Sequence, residues 1–165
     1  MKSPFICPVC QKRLETEGKS YVCENGHCFD KAKSGYVNLL LSQKPKNKNH
    51  GDDKLMIKAR HSFLEKGYYE PLRQKLCELA EKYAEKDGLV IDAGCGECYY
   101  TAAIANRLKD KGTAVAGADI SKDALAIGSR RNKELFCAAA SVFSLPFADN
   151  SADMLFTVFS PYCEK

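Results

Sequence analysis

Four side chains near the start constrain this chain more than any other feature. Cys7 and Cys10 are separated by two residues, Cys23 and His27 by three, and twelve residues lie between the pairs. A Cys-x-x-Cys pair delivers two thiolates from one tight turn. A second pair about 15 residues further on is the return knuckle of a ribbon or finger. Four such ligands suit the tetrahedral preference of zinc. Pro8 and Gly26 favour the two turns. On spacing alone Cys28 competes with His27 for the fourth position, which would give a four-cysteine site. The first 41 residues hold only short apolar pieces such as Tyr21-Val22 and 36–41, so a bound metal would supply folding energy that the stretch lacks. The nine cysteines are an odd number, which disfavours a fully paired disulfide framework.

Charge is unevenly distributed. Residues 1–60 carry 12 Lys and Arg against 6 Asp and Glu, whereas residues 61–165 carry 13 against 15. A basic field confined to the first third attracts polyanions such as nucleic acid. No run approaches the ~18 apolar residues of a membrane span, and the N-terminus lacks the apolar core of a signal peptide. A cytoplasmic location without membrane contact is expected.

Composition divides the chain into a zinc-binding domain at 1–41, a polar linker at 42–53 (SQKPKNKNHGDD), and a longer region at 54–165. Helices are expected over 54–66 and 70–86. Leu72, Leu76, Leu79 and Tyr83 recur there at helical spacing, and Pro71 suits a first turn. Strands and helices then alternate, with strands at 89–91, 113–120, 135–140 and 153–159. Helices lie between the first three, at 99–109 and from Ser121, a good N-cap, to Arg131. Such alternation implies a parallel, doubly wound sheet.

The first strand runs into Asp92-Ala93-Gly94-Cys95-Gly96-Glu97. Glycines let backbone approach a ligand closely at the end of a strand. A dinucleotide fingerprint would need a third glycine at position 99, where Tyr99 stands, so a pyrophosphate binder is not indicated. A second acidic residue, Asp119, ends the next strand and could accept from two ribose hydroxyls.

The hydrophobic-D-x-G-x-G pattern resembles the first motif of class I methyltransferases that use S-adenosylmethionine (SAM). The larger combination resembles one family, the RlmA-type bacterial 23S ribosomal RNA (guanine-N1)-methyltransferases. It comprises CPVC, YVCENGHCFDKAKSGYVNLL, GDDKLMIKARHSFLEKGYYEPLR, DAGCGECYYT, SLPF and SPY. The fold implied is α/β: an incomplete, Rossmann-like class I SAM-dependent methyltransferase sheet of about four parallel strands behind a small N-terminal zinc-binding domain. The resemblance selects Cys7, Cys10, Cys23 and His27 as zinc ligands. It implies SAM contacts at Tyr69, Asp92, Gly94, Gly96, Glu97, Asp119 and Ser141. Lys12, Arg13, Lys31 and Lys33 would grip RNA, with Lys44, Lys46 and Lys48 adding attraction. Pro161 and Tyr162 would lie beside the target base, which a hairpin loop of 23S rRNA would present.

Two departures from the family are visible. Cys98 stands where the loop has its third glycine, which costs energy if the position needs positive φ. The later strands of the family are absent, so the chain is expected to be truncated and its fourth strand to be an exposed edge. Methyl transfer to guanine N1 would rest on proximity and alignment, and no residue is assigned as the base that takes the N1 proton. The competing reading is a non-catalytic zinc-ribbon RNA-binding module with a vestigial sheet. Pairing of two copies stays open.

Overall fold

The structure is a computed structural model that describes residues 2–41 and 53–161. The expected linker lies outside the described residues except for Asp53, and so does Tyr162.

Three short antiparallel strands form the ribbon: β1 (Leu14–Glu17), β2 (Ser20–Cys23) and β3 (Cys28–Asp30). Leu14 pairs with Cys23, and Tyr21 with Phe29. The chain then runs through β4 (Val37–Asn38), α1 (Lys54–Leu64), α2 (Glu70–Tyr83), β5 (Leu89–Ala93) and α3 (Tyr99–Leu108). It ends in β6 (Ala114–Asp119), α4 (Lys122–Gly128), β7 (Phe136–Ala139) and β8 (Met154–Phe156). Local chemistry sets the helix starts. Asp53 caps α1 by accepting the Met56 N–H at 2.8 Å, Pro71 sits in the first turn of α2, and the Ser121 hydroxyl caps α4.

The larger sheet has five strands in the order β4-β7-β6-β5-β8, all parallel. Four parallel strands were expected. The fifth is β4, in a stretch that reads from sequence as part of the zinc domain. Two residues are too few to carry a period-2 pattern, so pairing with β7 fixes this strand, extended by the Leu39 N–H donating to Ala139 at 2.9 Å. The winding direction reverses between β5 and β8. In such sheets the crevice at the strand C-termini beside the reversal is where ligands bind.

Alternating residues send the two faces of the sheet to different partners. Val90 and Val115 pack with Cys77, Ala80, Ile104 and Leu108 of α2 and α3. Leu89, Ile91, Ala116, Ala118 and Ala138 pack instead with Phe5, Leu14 and Tyr21 of the ribbon and with Phe147. The small strand alanines leave room for these large rings. Full burial of one such side chain contributes about 1.5–3 kcal/mol. Main-chain pairing reinforces the junction, with the Ile6 N–H donating to Pro146 at 2.9 Å. The ribbon therefore forms part of the sheet's own core.

Candidate functional site

In the ribbon, Cys7, Cys10, Cys23 and His27 bring one ligand atom each to within 4.8 Å of one another. Cys10 Sγ lies 3.6 Å from Cys23 Sγ, which lies 3.3 Å from His27 Nδ1. Zinc–sulfur bonds of about 2.3 Å in a tetrahedron imply sulfur atoms roughly 3.8 Å apart, so the donor set matches zinc in type and spacing. Cys28 is exposed on β3 and outside the group. The Lys12 backbone amide beside Cys10 lowers its thiol to about 6, which favours the ligating thiolate.

A cavity of about 770 Å³ lies at the C-terminal ends of β5, β6 and β8, within the range of small-ligand sites. Its wall includes Tyr69, Asp92, Gly94, Gly96, Glu97, Asp119 and Pro161. Asp92 is only 2% exposed and accepts a 2.6 Å hydrogen bond from Thr101 Oγ1. Burial pushes its carboxyl up to about 8, against the opposing hydrogen bond. Asp119 clamps two loops, its oxygens each accepting at 2.8 Å from the Gly96 and Ser121 amides. Gly94 adopts φ 88°, and a Cβ there would fall 2.0 Å from Ser160 Oγ, so the chain leaving β8 excludes any side chain. Tyr100 Oη lines the same space, buried and without a hydrogen-bond partner among the described residues. An orphaned buried hydroxyl in a cavity that Asp92 also lines suits a polar ligand.

Cys98 occupies the left-handed region (φ 56°, ψ 31°) as the residue that caps α3, so this position does require positive φ. Its thiol is buried between Cys95 (3.6 Å) and Cys137 (3.9 Å).

Glu97 both lines the cavity and joins a network. His61 Nδ1 lies 3.1 Å from both of its carboxylate oxygens, and Arg131 pairs with it as well. Arg131 also donates to the Glu97 carbonyl at 2.9 Å and to Glu65 at 2.8 Å, holding the Glu65 carboxyl below its ordinary value. The network ties α1 to the glycine loop.

Ser141 does not line the cavity; its hydroxyl caps a turn, accepting the Phe143 N–H at 3.2 Å. Lys12, Arg13, Lys31 and Lys33 are also outside the lining. Lys12 pairs with Glu24 at 3.0 Å, and Lys31 lies 4.6 Å above the Tyr21 ring. Sequence reasoning missed the α1 wall, which includes Ile57, Arg60, Phe63 and Leu64, and it missed Tyr100. The signal available for α1 was an exposed aromatic residue, Phe63, in a helix that also carries several cations.

Residues 5–48 match the family model described as the RlmA N-terminal zinc ribbon, and residues 90–164 match a methyltransferase domain model. Fold and site thus define a class, a zinc ribbon built onto a methyltransferase domain. Within that class the chain is similar to RlmA-type proteins along most of its length. It is 34% identical over 158 residues to the 23S rRNA (guanine(748)-N(1))-methyltransferase of Streptomyces fradiae, covering 94% of this chain and 55% of that protein. It is also 34% identical over 165 residues to YxjB of Bacillus subtilis (strain 168), covering 96% of this chain and 57% of that protein. The chain spans little more than half the length of these curated relatives. Among solved structures it is similar to the geranyl diphosphate C-methyltransferase of Streptomyces coelicolor A3(2), with a TM-score of 0.41, 17% identity, and coverage of 68% of this chain and 40% of that one. No helix among the described residues is long and apolar enough to cross a membrane.

Proposed function

We propose that this chain is the N-terminal part of a cytoplasmic enzyme that transfers a methyl group from SAM to N1 of a guanine in 23S rRNA. The domain reading is zinc ribbon at 1–41, linker at 42–53 and methyltransferase region at 54–165. One observation carries the proposal: Asp92, the Gly94–Gly96 loop and Asp119 converge on a single cavity at the reversal point of a parallel sheet.

Bound SAM would supply an electrophilic methyl group on a sulfonium. Gly94 and Gly96 keep the loop thin enough for backbone contact with the cofactor. Asp119 holds that loop and can accept from ribose hydroxyls, because a carboxylate has about four lone-pair directions and two backbone donors use only some of them. Asp92 and Tyr100 offer polar groups to the cavity, and Tyr69 and Pro161 line it as well. N1 of the guanine would take that methyl group, the donor leaving as its neutral thioether, and the N1 proton would pass to water or to a base. Alignment supplies most of the rate. The target guanine must be unstacked to enter, which a hairpin loop permits. Cys7, Cys10, Cys23 and His27 would hold a zinc ion that fixes the ribbon, with Lys12, Arg13, Lys31 and Lys33 attracting RNA phosphate.

The test is calorimetric titration with SAM, followed by incubation with methyl-labelled SAM and 23S rRNA. Saturable binding and N1-methylguanosine in the digested RNA are expected. Absence of SAM binding, or label in another nucleoside, would overturn the proposal.

A further inference from the structure

A row of aromatic rings adjoins the cavity, and three of its members, Phe63, Tyr69 and Phe159, line it. Tyr68 lies 5.1 Å from Phe63, Phe63 lies 5.7 Å from Tyr69, and Tyr69 lies 5.7 Å from Phe159. Tyr68 is 64% exposed and Phe159 78%, and Phe63 is nearly half exposed. The helix supplying Phe63 has an inner side with its own core residues: Ile57 and Leu64 of α1 are buried. Met56, Arg60 and Phe63 recur at i, i+4 and i+7, so one exposed stripe of α1 leads to the cavity. At the far end Phe159 sits at φ 57°, a conformation that costs a phenylalanine energy. Backbone strain of this kind clusters at functional sites.

The charge along α1 and the turn after it is mainly positive. From Lys54 to Tyr69 the chain carries Lys54, Lys58, Arg60 and Lys66 with a single acid, Glu65. Glu65 is paired with Arg131. Arg60 lines the cavity, and exposed Lys66 lies two residues before Tyr68. Exposed rings interleaved with cations are the surface that takes single-stranded nucleic acid, with bases stacking on rings and phosphates meeting cations. A duplex hides its base faces and would leave the rings unused.

We infer that the Tyr68–Phe63–Tyr69–Phe159 row, flanked by Arg60 and Lys66, is a stacking platform for unpaired RNA bases next to the target nucleotide. It is distinct from the phosphate-gripping role assigned to the ribbon. The inference rests on the RNA-methyltransferase reading for the identity of the polymer, and its test separates the two.

The probe is a labelled, mixed-sequence single-stranded RNA of about 12 nucleotides, within the usual range for such sites. It is titrated at low salt against the unmodified chain and against Tyr68→Ala, Lys66→Gln and Phe159→Ala. A blunt RNA duplex and SAM are titrated alongside. Tyr68 and Lys66 lie outside the cavity lining. Tyr68→Ala is expected to weaken single-strand binding roughly fivefold or more. Duplex binding and SAM affinity should not change. Lys66→Gln is expected to reduce the salt slope by about 0.7, the value for one phosphate on a single strand. The inference is overturned if the unmodified chain ignores the oligomer, if Tyr68→Ala and Phe159→Ala both stay within about twofold of it, or if duplex binding falls equally. Loss of single-strand binding in a chain that does not bind SAM would support the platform and refute the methyltransferase reading. SAM binding with no effect of the ring variants on RNA would do the reverse.

Discussion

Asp119 accepts the backbone N–H of Gly96 at 2.8 Å, tying the end of β6 to the loop that leaves β5. Its other oxygen accepts the Ser121 N–H at the same distance. One carboxylate thus fixes two of the three backbone segments that frame the cavity floor. Asp119→Ala leaves both partly buried amides without this acceptor, at about 1–3 kcal/mol each if water cannot replace it. The variant should unfold at lower urea and bind SAM at least about tenfold more weakly, by calorimetry, given the ~1.4 kcal/mol that a factor of ten represents. Asp119→Asn keeps one acceptor oxygen and should fall between the two. Unchanged SAM affinity in the alanine variant would remove Asp119 from the site.

Cys98 poses a separate question because its backbone is left-handed and its thiol is buried. Replacement by alanine removes the sulfur and keeps the strain. Replacement by glycine removes both. Glycine at this position should therefore be more stable than alanine by about 1 kcal/mol, read from urea unfolding. At an ordinary helical position the order is reversed by a similar amount. Alanine more stable than glycine would mean that the backbone is not held at positive φ in solution.

The sequence made the site's floor legible but not its roof. Asp92, Gly94, Gly96 and Asp119 announce themselves because strand ends and glycine turns leave local signatures. The α1 wall does not, since Phe63 and Arg60 reach the cavity only through tertiary packing. Strand β4 escaped notice for a related reason, as two residues have no periodicity and gain their identity from β7. Ser141 rests on family likeness alone; its hydroxyl accepts the Phe143 N–H, and it is not among the residues lining the cavity. Cys7, Cys10 and Cys23 are legible from spacing, because metal geometry dictates it along the chain, whereas His27 over Cys28 needs the family likeness and agrees with the ligand group in the fold.

Phe5, Leu14 and Tyr21 of the ribbon share a core with Leu89 and Ile91 of the sheet. Metal loss should therefore be felt beyond the ribbon. Chelation, or Cys10→Ser, is expected to lower the melting temperature of the whole chain in one transition, not to release an independent small unit. Cys28→Ser should leave one zinc per chain by elemental analysis and the melting temperature unaltered, because Cys28 is outside the ligand group. His27→Ala should lose the metal. Zinc retained by His27→Ala but lost from Cys28→Ser would reassign the fourth ligand.

Asp92 makes the strongest prediction about pH. Burial raises its carboxyl from 3.8 to about 8 in the folded chain. Between those values the folded state holds a proton that the unfolded state has released. Stability contributed by the neutral carboxyl is fully present below about pH 4, declines as pH rises through that window, and levels off above about pH 8. Asp92→Asn has no proton to lose and should flatten the dependence, measured as the urea midpoint across pH. Ligand charge then discriminates further. Asp92 lines the cavity, so a sulfonium bound there favours the ionised carboxylate. SAM binding should release protons below about pH 8, detectable by calorimetry in buffers of different ionisation enthalpy, and should tighten as pH approaches that value. S-adenosylhomocysteine lacks the sulfonium charge and should show a weaker effect, and Asp92→Asn should show none. Equal proton release for both ligands would place the cationic sulfur away from Asp92.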